Sequence, residues 1–193
     1  IVGAQTIDLA GGSLGIIKPK ERLITGADLT EGLTIYGISS SGVHSNGVSL
    51  ARTIAEKSKS GYFTKLPDGR TIGEVLLTPT IIYSPFVEAL FSGGADVRYM
   101  QPITGHGWAK IMRKSMPLRY AIDSVPEPHE EFKFLQSEGP VDDEEAYKTW
   151  DMGVGWVVMA PHTDSSRIRR AAERRGLFVY ELGSVERGER EVI

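Results

Sequence analysis

Ser39-Ser-Ser-Gly-Val-His-Ser-Asn-Gly47 is a run of small and polar residues in which only Val43 is apolar. An apolar stretch with Leu33, Ile35 and Ile38 precedes it, and Val48, Ala51, Ile54 and Ala55 follow at helical spacing. The pattern predicts a strand, a tight polar loop and a helix in direct succession. A helix N-terminus carries amide hydrogens without intrahelical partners and a positive dipole end. Gly42 and Gly47 permit close backbone approach, and Ser40, Ser45, His44 and Asn46 add side-chain donors. The loop therefore reads either as an anion cradle, most naturally for phosphate, or as an ordinary polar loop ending in an Asn or Ser cap.

Working outward, Leu33–Ser39, Leu118–Ile122, Val154–Ala160 and Leu177–Val185 read as strands, with a shorter one over Asp96–Met100. Residues 7–17 read as a glycine-containing core strand closed by Pro19, and Arg22–Gly26 as a short strand and turn. Helices are expected over Gly47–Lys57, Tyr83–Phe91 (Pro85 in the first turn), Trp108–Met112, Glu127–Glu138 and Ser165–Arg175. The acidic residues 142–145 open one more short helix. Gly139 is expected as the C′ residue and Asp164 as an N-cap. Strands and helices alternate without a regular βαβ period. The fold class is therefore α+β: a mixed, largely antiparallel sheet with helices packed on it in α/β/α layers, as one domain over residues 1–193.

The 193 residues suffice for one well-buried core, and 40% apolar with 24% charged residues is a globular composition. A net charge of −3 gives no electrostatic reason to expect nucleic acid or an anionic membrane as partner. No apolar run approaches the ~20 residues of a bilayer span. With no cysteine, thiolate catalysis and zinc–thiolate sites are excluded. A cytoplasmic address is the expectation. The chain opens without Met and runs at once toward an apolar segment, from which a missing upstream part is expected.

Thr104-Gly105-His106-Gly107 repeats the ingredients of the first loop before a predicted helix. Two such loops suggest two anionic groups, such as a substrate phosphate and a nucleotide; the alternative for the second is a tight turn capped by Thr104. His44 and His106, both in glycine-rich loops, are candidates to bind phosphate as cations or to move protons. His129 and His162 stand beside prolines at helix starts and read as structural. Asp8, Asp123 and Asp151 adjoin apolar strands, but none forms a tight acidic pair with a phosphate loop, so no metal ligand is assigned.

Five ordered blocks resemble the phosphoribosylformylglycinamidine cyclo-ligase (AIR synthetase) family, in its C-terminal domain: Asp8–Gly11; Ser40–Gly47 with Ser49, Leu50 and Arg52; Leu76–Thr80 with Ile82 and Tyr83; Ile103–Gly105 with Gly107; and Met152–Gly155. The resemblance implies the second half of a two-domain enzyme. That family uses ATP to activate the formyl oxygen of formylglycinamidine ribonucleotide, and ring closure yields aminoimidazole ribonucleotide, ADP and phosphate. It implies ATP and Mg²⁺ as cofactors, the metal ligands lying in an N-terminal domain through which the full-length protein forms a homodimer. His44, Asn46 and His106 become the expected catalytic residues. Ser40, Gly42, Ser45, Gly47, Thr104, Gly105 and Gly107 become the expected nucleotide- and phosphate-binding residues. The chain departs from the family pattern at Pro102 (histidine expected), His106 (glycine), Ile81 (arginine), Lys148 (arginine) and Asp151 (asparagine). Those departures keep two alternatives in play: a paralogue acting on another substrate, or a non-catalytic phosphate- or nucleotide-binding domain.

Overall fold

The computed structural model describes residues 11–193. Its centre is β1 (Thr34–Ser39), all six of whose residues are buried. β1 lies between β4 (Val154–Ala160) and β5 (Val179–Arg187), antiparallel to both. β2 (Tyr99–Pro102), β3 (Leu118–Ile122) and β6 (Glu191–Val192) complete a sheet of order β2-β4-β1-β5-β3-β6. Every neighbouring pair is antiparallel except β3 and β6. The mixed, largely antiparallel sheet expected from the sequence is thus present.

Alternation along β1 sends side chains to two cores. Ile35 joins Leu182, Val157, Met159 and Tyr120 on one face, closed by Trp108 and Ile111 from a 3₁₀ helix over Gly107–Met112. Position 37 falls on that face too, and it is glycine because a Cβ there would stand 2.9 Å from both Leu182 and Val154 side-chain carbons. Tyr36 and Ile38 point the other way, with Val158 and Ala160. There they meet Phe86 and Leu90 of α3 (Ser84–Ser92) and Ile168, Ala171 and Ala172 of α6 (Ser165–Glu173).

A third apolar cluster gathers α1 (Val48–Lys57), α4 (Glu130–Glu138) and α5 (Asp143–Thr149) around the fully buried Trp150. Ala51, Ile54, Phe132, Leu135 and Ala146 pack there, with Val43, Val141 and Met152 from the adjoining loops. The indole Nε1–H donates to the Gly47 carbonyl at 3.3 Å, so this cluster grips the end of the loop that leaves β1. A smaller helix, α2 (Ile72–Leu76), is held by a capping box between Thr71 and Glu74.

Several sequence expectations need correction. Of the expected 7–17 strand, residues 7–10 lie outside the described residues. Residues 11–17 form no strand, and Leu14, Ile16 and Ile17 are exposed, because no neighbouring strand pairs with them among the described residues. Arg22–Gly26 is not a strand either: a 3₁₀ turn over Lys20–Arg22 precedes a bend at Gly26, again without a ladder partner. The Asp96–Met100 strand forms later, at Tyr99–Pro102, where its register meets Trp156–Met159. Gly139 ends α4 in extended rather than left-handed geometry. Its missing side chain is explained by packing, since a Cβ would lie 2.5 Å from Ile54 and 2.8 Å from the Leu135 carbonyl oxygen. Asp164 caps no amide of α6; its carboxylate accepts from Arg167 instead.

Candidate functional site

The loop after β1 is anchored before it opens. The Ser39 amide donates to Phe178 O at 3.0 Å and that of Ser40 to Gly153 O at 2.9 Å. The Ser41 amide donates to Nε2 of His44 at 3.2 Å. These three amides are therefore engaged within the fold, which corrects the expectation that the loop offers bare amides from its start. The loop opens further on. Ser45 is exposed, Asn46 is half-buried, and Gly47 enters α1 in the left-handed region (φ +69°). Among the described residues no side chain caps α1, so the capped-loop alternative is not what forms.

His44, Ser45 and Asn46 line one wall of a cleft of about 750 Å³. Thr80–Ser84 form a second wall, and Pro102–Thr104 with Gly155 and Trp156 a third. The walls are stitched to one another. Ser41 Oγ donates to Pro79 O at 2.8 Å, Ser45 Oγ lies 3.1 Å from Thr80 Oγ1, and Tyr83 Oη donates to Ser39 O at 2.8 Å. Gly155 is required at this junction: a Cβ there would overlap Tyr83 Oη and stand 2.7 Å from His44 Cε1.

The structure thus brings together His44, Ser45 and Asn46 from the first loop and Thr104 from the second. Gly105 is adjacent, the Cβ position being 3.8 Å from Asn46 Oδ1. It does not bring in His106, which is exposed in left-handed geometry (φ +75°) and lines a separate hollow with Lys110 and Arg113. Gly107, Gly42 and Gly47 are packing positions. A Cβ on Gly107 would overlap the Tyr147 carbonyl oxygen, one on Gly42 would stand 3.1 Å from Glu131 Oε1, and one on Gly47 would overlap Trp150. Ser40 is buried, donates to Asp151 Oδ1 at 2.9 Å, and edges a second cavity of about 440 Å³ on the other side of the loop.

Electrostatics around the loop revise the role of His44. Burial, reinforced by the nearby His129, lowers its pKa to about 4, so it is neutral near neutral pH. Both ring nitrogens face protein atoms, Ser41 on one side and Asp151 on the other, so this environment does not favour the cation expected at His44. Burial raises the Asp151 carboxyl to about 7 against the hydrogen bonds from Gly153 and Ser40. Tyr83 is pushed well above the usual phenol range by burial and by Asp151.

Sequence reasoning missed the second cavity. His129 is not a bystander there: its Nδ1 lies 3.4 Å from Oε1 of the fully buried Glu131, whose Oε2 accepts from Arg70 at 3.1 Å. The hydrogen bond to Glu131 raises His129 above the ordinary imidazole value, against burial. Burial works to raise Glu131, but His129 and Arg70 outweigh it and hold it low. Glu131 falls on the inner face of an amphipathic helix, and that position was the available signal.

Comparison with known proteins agrees with the resemblance. The family described as AIR synthase related protein, C-terminal domain, matches residues 30–193. A phosphoribosylformylglycinamidine cyclo-ligase of Methanocaldococcus jannaschii is 38% identical, covering 96% of this chain and 56% of its own. One of Methanosarcina acetivorans is 40% identical, covering 91% and 54%. The chain spans about half the length of these relatives. Among solved structures, T. maritima PurL complexed with ADP superposes with a TM-score of 0.53 at 14% identity, covering 90% of this chain and 25% of that one. T. maritima PurL complexed with FGAR gives 0.51 at 16%, covering 86% and 26%. At such identities the likeness is one of fold. With the family match over most of its length and relatives at this level of identity, the chain belongs to the AIR synthase-related family, as its C-terminal domain.

Proposed function

We propose that this chain supplies one part of the active site of an ATP-dependent cyclo-ligase that closes formylglycinamidine ribonucleotide to aminoimidazole ribonucleotide in purine biosynthesis. Relatives named for that reaction support it. The observation that carries it is the single cleft shared by Ser45, Asn46, Thr80 and Thr104 beside the side-chain-uncapped first turn of α1. Those hydroxyl and amide groups fit phosphate oxygens, and fixed donors lose no reorganisation energy when charge builds on a transferring phosphoryl group. When bound, ATP supplies the phosphoryl group that turns the formyl oxygen into a leaving group. This chain's residues bind and orient: Asn46 and Ser45 from one wall, Thr104 from the other.

Mg²⁺ does not fit the donor set here. Among the described residues no three of His, Asp and Glu gather as a cage, and the one cleft carboxylate, Glu88, is paired with Arg22 at 3.0 Å. The metal ligands are assigned to the half that the relatives carry beyond the matched region, together with the homodimer contact. The proposed address is cytoplasmic; no helix among the described residues is long and apolar enough to cross a membrane.

A second reading, a paralogue acting on another phosphorylated carbonyl compound, is favoured by one specific observation. Pro102 and Ile81, two departures from the cyclo-ligase pattern, both line the cleft and make it more apolar where a histidine and an arginine are expected. Calorimetric titration with formylglycinamidine ribonucleotide and with its dephosphorylated nucleoside separates the readings. Cyclo-ligase function predicts binding that requires the phosphate and weakens in Asn46→Ala. Measured on this chain joined to the half its relatives carry, equal affinity for both compounds, or no binding of either, refutes it.

A further inference from the structure

His44 and Asp151 form a pair whose side chains are only 5% and 3% exposed. Asp151 Oδ1 is satisfied twice, by Ser40 Oγ and by the Gly153 amide, each at 2.9 Å. Its Oδ2 makes no hydrogen bond of standard geometry and faces Nδ1 of His44 at 3.3 Å. At the far edge of the ring, Nε2 meets two atoms of one residue: the Ser41 amide nitrogen at 3.2 Å and Ser41 Oγ at 3.2 Å. These two make opposite demands. An amide only donates, so it needs a bare Nε2. Ser41 Oγ already gives its hydrogen to Pro79 O, so toward the ring it offers a lone pair and needs Nε2–H. A neutral imidazole carries a single N–H and cannot serve both.

We infer that Asp151 is a positioning residue that selects the tautomer of His44 and thereby which atom of Ser41 the ring holds. An ionised carboxylate accepts from Nδ1–H and leaves Nε2 to receive the Ser41 amide. When the carboxyl takes one proton from solvent, Oδ2–H donates to Nδ1 and the single ring hydrogen resides on Nε2, directed at Ser41 Oγ. An amide at position 151 enforces this second arrangement permanently. Ser41 lines the second cavity, and its hydroxyl is tied to Pro79, the neighbour of Thr80 in the wall of the first cleft, so the choice bears on the backbone at the start of the ligand loop.

The connectivity has the order Ser–His–Asp but not the chemistry of that triad. A nucleophilic serine must give its hydrogen to the imidazole, whereas this one gives it to Pro79. The groups facing the pair are Tyr83, whose ring meets His44 edge-on at 6.3 Å, and His129 and Glu131, with Arg70 behind them. His129 favours the Asp151 carboxylate, Glu131 opposes it, and Tyr83 stays neutral. With the carboxyl near 7 and the imidazole near 4, the exchange falls in an accessible range.

The inference does not depend on the reaction proposed above, and its test reads no activity. In the ¹⁵N-histidine-labelled chain, long-range ¹H–¹⁵N correlation reports which ring nitrogen of His44 is protonated. The expected result is Nδ1–H at about pH 8.5 and Nε2–H at about pH 5.5, with a midpoint near neutrality, and Nε2–H at both values in Asp151→Asn. Wild-type Nε2–H at the higher pH, no change of tautomer between the two, or a variant indistinguishable from wild type overturns it. Should the variant not fold, the wild-type titration decides alone.

Discussion

Replacing Asp151 with asparagine should expose a pH dependence of stability that the native pair conceals. The folded His44 imidazole titrates at about 4 instead of 6.5, so the unfolded chain takes up a proton there that the fold refuses. Folding is therefore destabilised as pH falls from 6.5 toward 4, by roughly 3 kcal/mol at 1.36 kcal/mol per unit. Asp151 works in the opposite sense. Its folded value of about 7 lies above the ordinary 3.8, so the folded chain binds a proton that the unfolded chain releases, and stability from this group rises as pH falls from 7 to 3.8. The two contributions are of similar size and cover nearly the same window. Folding in effect moves one proton from imidazole to carboxyl, with no net uptake. The Asp151→Asn change would remove only the carboxyl half, because the low His44 value comes from burial and from His129. Urea denaturation of wild type and D151N, followed by tryptophan fluorescence at several pH values between about 7.5 and 4.5, measures this directly. The variant should lose stability relative to wild type on acidification, approaching 3 kcal/mol as an order of magnitude over the full window. Parallel curves for the two proteins would show that Asp151 binds no extra proton on folding.

Trp150→Ala should cost about 3–5 kcal/mol, since it empties the centre of the α1–α4–α5 cluster and removes the hydrogen bond to Gly47; a melting temperature within a few degrees of wild type would contradict that. Tyr83→Phe strips the buried Ser39 carbonyl of its donor and should cost about 1–3 kcal/mol in chemical denaturation while leaving circular dichroism unchanged. Gly107→Ala should destabilise through collision with the Tyr147 carbonyl and a strained positive φ, lowering the melting temperature whether or not ligand is present.

Much of the fold was legible because its signals are local. The 3.6-residue period of α1, the apolar run of β4 and the acidic start of α5 behind the Asp142 cap each survive into the structure at nearly their expected bounds. Gly11–Ile17 failed for a tertiary reason: an apolar run becomes a strand only where a neighbour pairs with it, and none does among the described residues. The site shows the same division. That His44, Ser45 and Asn46 stand in a loop between a strand and a helix was legible in the run from Ser39 to Gly47, whereas their sharing a cleft with Thr104 is a matter of tertiary structure. That His44 is neutral does not, because its burial and its partner Asp151 come from segments more than a hundred residues apart, joined also by the Ser40–Asp151 hydrogen bond. His106 was misplaced because sequence cannot reveal which way a left-handed residue turns, and here it turns out of the cleft. Glu131 was hidden by its charge, since only a folded neighbourhood supplying His129 and Arg70 makes a fully buried glutamate tolerable.

The central claim is that the cleft between the β1–α1 loop and Thr104 orients a phosphorylated substrate for ATP-driven ring closure. Its most direct test is ADP release, coupled to formylglycinamidine ribonucleotide, from this chain joined to the half its relatives carry. The account predicts substrate-dependent turnover that falls by roughly 10²-fold or more in Asn46→Ala, as removal of a fixed donor does at a transition state, with the fold intact by circular dichroism. Turnover in Asn46→Ala equal to wild type would contradict it.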